Sequence, residues 1–352
     1  MPAGCRNRRR PVRSVRNAVT VLILAAILLV LPQGLRRLQA QAPAEAYTSL
    51  VFYVGAHQDD WELFRGNAAM KDLADPRTRV VFIYASAGDA GRTDGWWEAR
   101  ERGAVAAVRS GVGAAPLTID HVRVSDHAIL RYTSRNSASY FLRLPDGRYQ
   151  FGTGYPATNN ESLTQLRNAG KAIAAVDKST TYRTWADFHA TLEAIMNLER
   201  GLVPSAVHPL VNAPDYFSVD NSHQDCQTPG PCNVCDHPDH KAVGDALRQF
   251  VGGVYSRNWW VGYDAQNRPE NLPAPDFVQK GRAFFAYAAA VLQETTANGK
   301  PAEANLGEWK AWGARDYYRT VNWDRPDVDN PVCGLSATKG VDNRPLIHRG
   351  AR

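Results

Sequence analysis

Leu50-Val51-Phe52-Tyr53-Val54-Gly55-Ala56-His57-Gln58-Asp59-Asp60 joins an unbroken apolar run to an imidazole and two carboxylates. A short run of β-branched and aromatic residues ending in Gly reads as a strand buried on both faces, with His57 delivered at its carboxyl end. A helix from about Leu63 to Leu73, closed by Asp75-Pro76, is predicted to follow. Arg79 to Ala85 reads as a second buried strand, Gly88-Asp89-Ala90-Gly91 as a turn, and Trp96 to Ser110 has helical spacing. This alternation predicts an α/β fold built on a mostly parallel sheet with helices on both faces. In such sheets ligands bind beyond the carboxyl ends of the strands, where both the His57 and Gly88 turns would lie.

Further along, Arg131 to Tyr155 is rich in Tyr, Phe, Asn, Ser and Gly without clear periodicity and reads as a long surface excursion. Helices are expected near Glu161 to Ala175 and, capped by Thr184 and Asp187, up to about Glu199. Pro204 to Leu210 reads as a strand, Val211 to Asp236 as a loop, His237 to His240 as the start of a helix that continues over Lys241 to Val251, and an apolar helix lies around Phe284 to Leu292. There is no internal repeat.

The charge of the chain is unevenly placed. Eight of its 41 basic residues (Arg6, Arg8, Arg9, Arg10, Arg13, Arg16, Arg36 and Arg37) precede residue 43, and no acidic residue does. The remainder holds 33 basic against 35 acidic residues, so the basic isoelectric point does not imply a nucleic-acid partner. Residues 1–42 have an Arg-rich start, an apolar stretch from Ala18 to Leu31 and small residues at Ala40-Gln41-Ala42, the pattern of a secretory signal. The segment is either cleaved or kept as an anchor, and only through it would the protein touch a membrane. Residues 43–352 are expected to form one domain with long loop insertions, secreted or extracytoplasmic.

Cys226, Cys232, Cys235 and Cys333 would remain after cleavage, and Cys5 would be lost. An even number in an exported chain suggests two disulfides with three possible pairings. Free thiols are the alternative; a structural zinc on Cys226, Cys232 and Cys235 ranks lower, because the spacing matches no ribbon or finger.

The chemistry lies in two motifs, Ala56 to Asp60 and His237-Pro238-Asp239-His240. His57 and Asp60, three apart at a strand end, can turn toward one ion, and His240 would complete a three-ligand zinc site with room for water and a substrate oxygen. Adjacent carboxylates cannot easily share one ion, which leaves Asp59 as the base that takes a proton from the attacking water. His237, one helical turn before His240, is placed to stabilise an oxyanion as an imidazolium or to protonate the departing amine. Asp239 or Asp236 would orient that ring. A helix start capped by His237 is the plainer alternative.

These residues resemble the PIG-L or LmbE-like zinc-dependent N-deacetylases, whose A-H-P-D-D and H-P-D-H motifs are matched by Ala56 to Asp60 and His237 to His240. The likeness spans Leu50 to about Val251 and leaves 252–352 as a carboxyl-terminal extension. It implies a Rossmann-like fold, zinc on His57, Asp60 and His240, Asp59 as general base, His237 stabilising the transition state, and Arg100 as a substrate contact. It also implies deacetylation of an N-acetylglucosamine-type sugar; compartment points to an extracytoplasmic glycan or glycolipid. Another N-acyl amide, or a silent carbohydrate-binding protein, are the rival readings. Gln58 replaces the usual Pro, Trp61 stands where many members have Glu, Gly103 where a Glu often follows the arginine, and Cys235 where some have Tyr. Trp96, Trp97, Tyr149, Phe151 and Tyr155 are candidates for stacking on sugar rings. Titrating thiols in denatured, non-reduced protein is expected to find none of the four cysteines of the exported chain free; four reactive thiols would contradict the disulfide reading.

Overall fold

A computed structural model describes residues 47–148, 152–215, 236–294 and 306–327. In chain order these form β1 (Ser49–Gly55), α1 (Asp60–Ala74), β2 (Thr78–Ser86), α2 (Trp96–Val112), β3 (Thr118–Val124), β4 (His127–Ser134) and β5 (Ser137–Leu144). There follow α3 (Leu163–Ala169), β6 (Ile173–Ala174), β7 (Thr181–Tyr182), α4 (Trp185–Arg200), β8 (Leu210–Pro214) and α5 (Pro238–Arg248). The last are β9 (Ser256–Trp260), α6 (Ala274–Gln293), α7 (Leu306–Trp312) and β10 (Tyr318–Val321). The leader and the four cysteines of the exported chain fall outside the described residues, as do Tyr149 and Phe151. No helix among the described residues is long and apolar enough to cross a membrane.

Eight strands form one sheet in the order β10-β9-β8-β1-β2-β5-β4-β3. The five central strands, β9 to β5, run parallel, while β10, β4 and β3 add antiparallel edges. The fold is the expected mostly parallel α/β sheet. Strand periodicity divides β1 between two cores: Leu50, Phe52 and Val54 pack with the α4 residues Phe188, Leu192 and Ile195 and with α5. Val51 and Tyr53 face the other way, toward α1, α2 and α6. Helices therefore cover both faces, and every residue of β2 is buried, as a strand between two helical layers must be.

After β1 the chain turns to β2 on one side and later returns to β8 on the other. That reversal opens a crevice beyond the carboxyl end of β1. Gln58 lashes this end together: its side-chain amide donates to the carbonyls of Ser86 and Ala87 at 3.2 and 2.9 Å. Its amide thus ties the turn after β1 to the end of β2.

Several elements differ from the sequence reading. Arg131 to Tyr155 is not an excursion, because β4 and β5 take much of it into the main sheet. Buried serines (Ser134, Ser137, Ser139) and inward-facing hydroxyls mask their periodicity. The strand expected at Pro204 to Leu210 begins only at Leu210, and α5, which starts within the second His motif as expected, ends at Arg248 rather than Val251. Past residue 251 the main sheet continues through β9 and β10.

A buried charge pair ties the layers together. Arg79 on β2 makes a two-pronged contact with Glu199 on α4 at 2.7 and 3.1 Å, and Tyr140 on β5 donates to the same carboxylate. Removing one partner strands the other in the interior. Glu199→Ala is expected to lower unfolding stability by about 3–5 kcal/mol in denaturant titrations, and a loss within experimental error would show that the pair is not a structural tie.

Candidate active site

At the end of β1 the backbone amides of Ala56 and His57 donate to Asp60 Oδ2 at 2.7 and 2.9 Å. This fixes the carboxylate at the first residue of α1 and leaves Oδ1 pointing across the crevice. His240, on the first turn of α5, places Nε2 3.0 Å from that oxygen and 3.0 Å from His57 Nδ1, and His57 Nδ1 lies 3.5 Å from it. Ligands about 2.0–2.1 Å from a tetrahedral ion are themselves about 3.3 Å apart, so the triangle has the size of a metal-ligand face. The far side of His240 is held by Asp236, whose Oδ1 accepts from Nδ1 at 2.7 Å. That bond turns the Nε2 lone pair inward, in the usual manner of a carboxylate behind a ligating histidine. All three ligand candidates are buried.

The donor set fits a cation. Two imidazole lone pairs and a carboxylate oxygen converge, an arrangement that repels itself unless a positive charge sits among them. In the absence of metal, protons take that place. Burial disfavours charge on His240, but Asp236 and Asp60 outweigh it and push its pKa up to about 10. His57 is likewise disfavoured by burial yet held well above the ordinary imidazole range by Asp60 and Asp146. Burial pushes Asp60 up, and the His240 and His57 charges override it, keeping it well below the usual carboxylate range. A divalent ion held by His57, Asp60 and His240 would take the place of those protons beside the same carboxylates.

Asp59 points elsewhere, as expected of adjacent acids. Its Oδ1 accepts from Arg100 Nη2 at 2.5 Å, and Arg100 is fixed on two further sides by the Gly88 carbonyl and the Tyr287 hydroxyl, each at 3.0 Å. Gly88 has φ +55°, and a Cβ there would lie 2.5 Å from Arg100 Nη1, so the turn after β2 needs glycine for both conformation and space.

His237 caps the helix, the plainer of the readings offered for it. Its Nδ1 accepts from the Asp239 amide at 3.2 Å and caps α5, which assigns the proton to Nε2. Nε2 lies 3.6 Å from Asp146 Oδ1. The imidazolium form is disfavoured: burial first, then the neighbouring His57 charge, pull its pKa down to about 3. The Asp239 carboxylate stands too far from this ring to hydrogen-bond it, and Asp236 turns its carboxylate to His240 instead. Asp239 Oδ2 is 3.9 Å from His237 Nδ1 and 3.8 Å from His57 Nε2, and it accepts from the Gly147 amide. Burial and the nearby Asp146 charge push its pKa up to about 7.

Sequence reasoning missed Asp146, which follows β5 and stands 3.4 Å from His57 Nε2. An acid beyond a strand's carboxyl end is the signal that would have found it, had β5 been recognised. The cavity over the site is lined by His57, Asp59, Asp60, Leu63, Phe64, Arg100, Asp146, His237, Tyr263, Glu308 and Trp312. Trp96, Trp97 and Tyr155 are not among these residues. Arg92 and Arg143 instead lie 4.5 and 5.0 Å from the rings of Trp96 and Trp97.

The sequence pattern of the GlcNAc-PI de-N-acetylases (PIG-L) matches residues 52–251, more than half of the chain. The chain belongs to this family. It is accordingly a hydrolytic N-deacetylase. No curated protein matches the chain significantly. Similar solved structures include N,N'-diacetylchitobiose deacetylase from Pyrococcus horikoshii, at 13% identity and a TM-score of 0.41 over 78% of this chain and 84% of that one. Teicoplanin deacetylase in a zinc-inhibited form is 14% identical, with a TM-score of 0.39 over 78% and 99% of the two chains. A triple mutant of a deacetylase from the teicoplanin biosynthetic pathway is 12% identical, with a TM-score of 0.36 over 72% and 95%.

In this member Trp61 turns its indole N–H to the Tyr84 hydroxyl at 3.0 Å. Glu62, next along, is fully buried with neither carboxyl oxygen hydrogen-bonded. Burial foremost, with the Asp59 and Asp60 charges adding to it, holds Glu62 well above the usual carboxylate range. The folded state then keeps a proton the unfolded chain releases above about pH 4.3, so this group costs stability as pH rises toward its folded pKa. Glu62→Gln is expected to melt higher than the wild type, by a margin that widens between pH 4 and pH 8; an equal margin at both ends would show that Glu62 is not kept protonated.

Proposed function

We propose that this protein is a zinc-dependent deacetylase that removes the acetyl group from an N-acetylglucosamine-type glycan or glycolipid outside the cytoplasm. One observation carries the reading: His57, Asp60 and His240 converge on one point while the neighbouring Asp59 is held apart from them by Arg100. A binding module has no use for a second carboxylate so placed. The family pattern supports an N-acetylated sugar as substrate class, and the secretory character of residues 1–42 supports the compartment.

Zinc on His57, Asp60 and His240 would supply a Lewis acid for the acetamide carbonyl and lower the pKa of water toward about 7. Asp59 takes the proton from the attacking water, and Arg100 fixes the orientation of its carboxylate. As the carbonyl becomes tetrahedral, negative charge develops on its oxygen, and the neutral Nε2–H of His237 is the available donor from the second motif. The site's two motif elements are rigid, because His237 caps α5 and Asp60 is pinned by two amides. Collapse of the intermediate breaks the C–N bond, and the proton held by Asp59 passes to the departing amine, leaving acetate and a free amino sugar.

Asp59→Ala is expected to keep about one zinc per chain while its release of amine from N-acetylglucosamine glycans falls by about 10²–10⁴. Loss of metal in that variant would refute the division of labour between the two aspartates. Release of amine only from longer N-acyl compounds would refute the substrate class.

A further inference from the structure

The family pattern ends at residue 251, yet a side chain from well beyond it reaches the guanidinium that holds Asp59. Tyr287 on α6 is 3% exposed, and its hydroxyl accepts from Arg100 Nε at 3.0 Å. Close approach of two helices makes the contact possible. Ala99, Gly103 and Ala107 are spaced four apart on α2 and so share one face. Ala99 and Ala107 belong to the same buried cluster as Ala283, Tyr287 and Val291 of α6. A Cβ on Gly103 would lie 2.6 Å from the Tyr287 ring and 2.7 Å from Val291. A larger residue there would push α6 away, so the glycine makes room for the phenol beside Arg100, one helical turn earlier.

A guanidinium is a rigid planar fork, so anchoring two of its nitrogens sets the direction of the third. In Arg100 the anchors are the Tyr287 hydroxyl on Nε and the Gly88 carbonyl on Nη1, each at 3.0 Å, and Nη2 is thereby aimed at Asp59 Oδ1, 2.5 Å away. One anchor belongs to the turn after β2 and the other to α6. With the second gone, the fork can swing about the first, and the carboxylate loses a partner of fixed direction. A phenol suits this place. Burial holds the Tyr287 hydroxyl well above its ordinary range and therefore neutral, so it accepts a hydrogen bond without competing as an anion for the guanidinium.

We propose that Tyr287 is a positioning residue for the general base, holding Arg100 so that the Asp59 carboxylate keeps one orientation toward the attacking water. The inference rests on the deacetylase reading above, and it assigns part of the alignment of the base to a helix outside the family pattern. Tyr287 acts through Arg100 and touches neither substrate nor metal, so its loss slows turnover without weakening substrate binding.

The test is Tyr287→Phe in the zinc-loaded full chain, which removes the partner of Nε and leaves the ring in its slot. With N-acetylglucosamine as substrate, kcat is expected to fall about tenfold while KM stays within about twofold and zinc content is unchanged. Arg100→Lys has no Nε for the phenol to hold, so adding Tyr287→Phe to it should cost less than about twofold more. A readout without substrate is the Arg100 Nε–H signal in the NMR spectrum of arginine-labelled protein, assigned by its absence from Arg100→Lys. It should be protected from solvent exchange in the wild type and lose that protection in Tyr287→Phe. Wild-type kcat in Tyr287→Phe, a full loss that persists in the Arg100→Lys background, or an Nε–H whose exchange does not respond overturns the inference. A wild type that protects this Nε–H but releases no amine overturns the proposed reaction, and the positioning role with it, while leaving the contact between Tyr287 and Arg100 standing.

Discussion

The whole arrangement depends on concentrating negative charge where five parallel strands end. Asp59, Asp60, Asp146, Asp236 and Asp239 are all buried around His57 and His240, and an interior cannot hold such charge without cations or protons. Arg100 neutralises one carboxylate, and the imidazoles, protonated or metal-bound, balance others. The fold supplies the geometry that makes this tolerable. β1 and α5 are distant in sequence, but the reversal of strand order beside β1 brings their ends together, and the His57 amide holds Asp60 at one end while the His237 amide holds Asp236 at the other.

The same constraint explains which residues take which role. Asp60 faces His57 and His240 because two amides turn one of its oxygens inward, while Asp59 faces Arg100 because the first turn of α1 sends adjacent side chains apart. Asp236 and Asp239 divide similarly. One stands behind His240 and the other against His57, so the carboxylates of the second motif serve the ligand imidazoles more directly than they serve His237. His237 remains neutral, which suits a donor of one hydrogen bond better than a carrier of charge.

Much of this was legible in the chain. β1 and β2 are buried on both faces, so they appear as uninterrupted apolar runs, and each ends in a glycine-bearing turn that points to the site. The two motifs mark the candidate ligands because their residue types at those spacings have few other uses. What stayed hidden was hidden for physical reasons. β4 and β5 combine buried serines with half-buried arginines, which erases the alternation that marks a strand. β8 contains Asn212 and ends at Pro214, both poor strand signals; its asparagine is buried because it accepts from Arg65 and Asn258. Asp146 reads as a turn acid beside Gly147, and Tyr263, Glu308 and Trp312 lie in a Trp- and Pro-rich region whose approach to the site is set by tertiary packing alone. Gly103 and Gln58 are departures from the family pattern whose reasons, room for Tyr287 and a tie between β1 and β2, appear only in three dimensions.

X-ray absorption at the zinc edge of the metal-loaded protein tests the central claim most directly. The account predicts one zinc per chain with two imidazole nitrogens and carboxylate oxygen at about 2.0–2.2 Å, and loss of one imidazole from the shell in each of His57→Ala and His240→Ala. A shell containing sulfur, or one unchanged by either substitution, would contradict it.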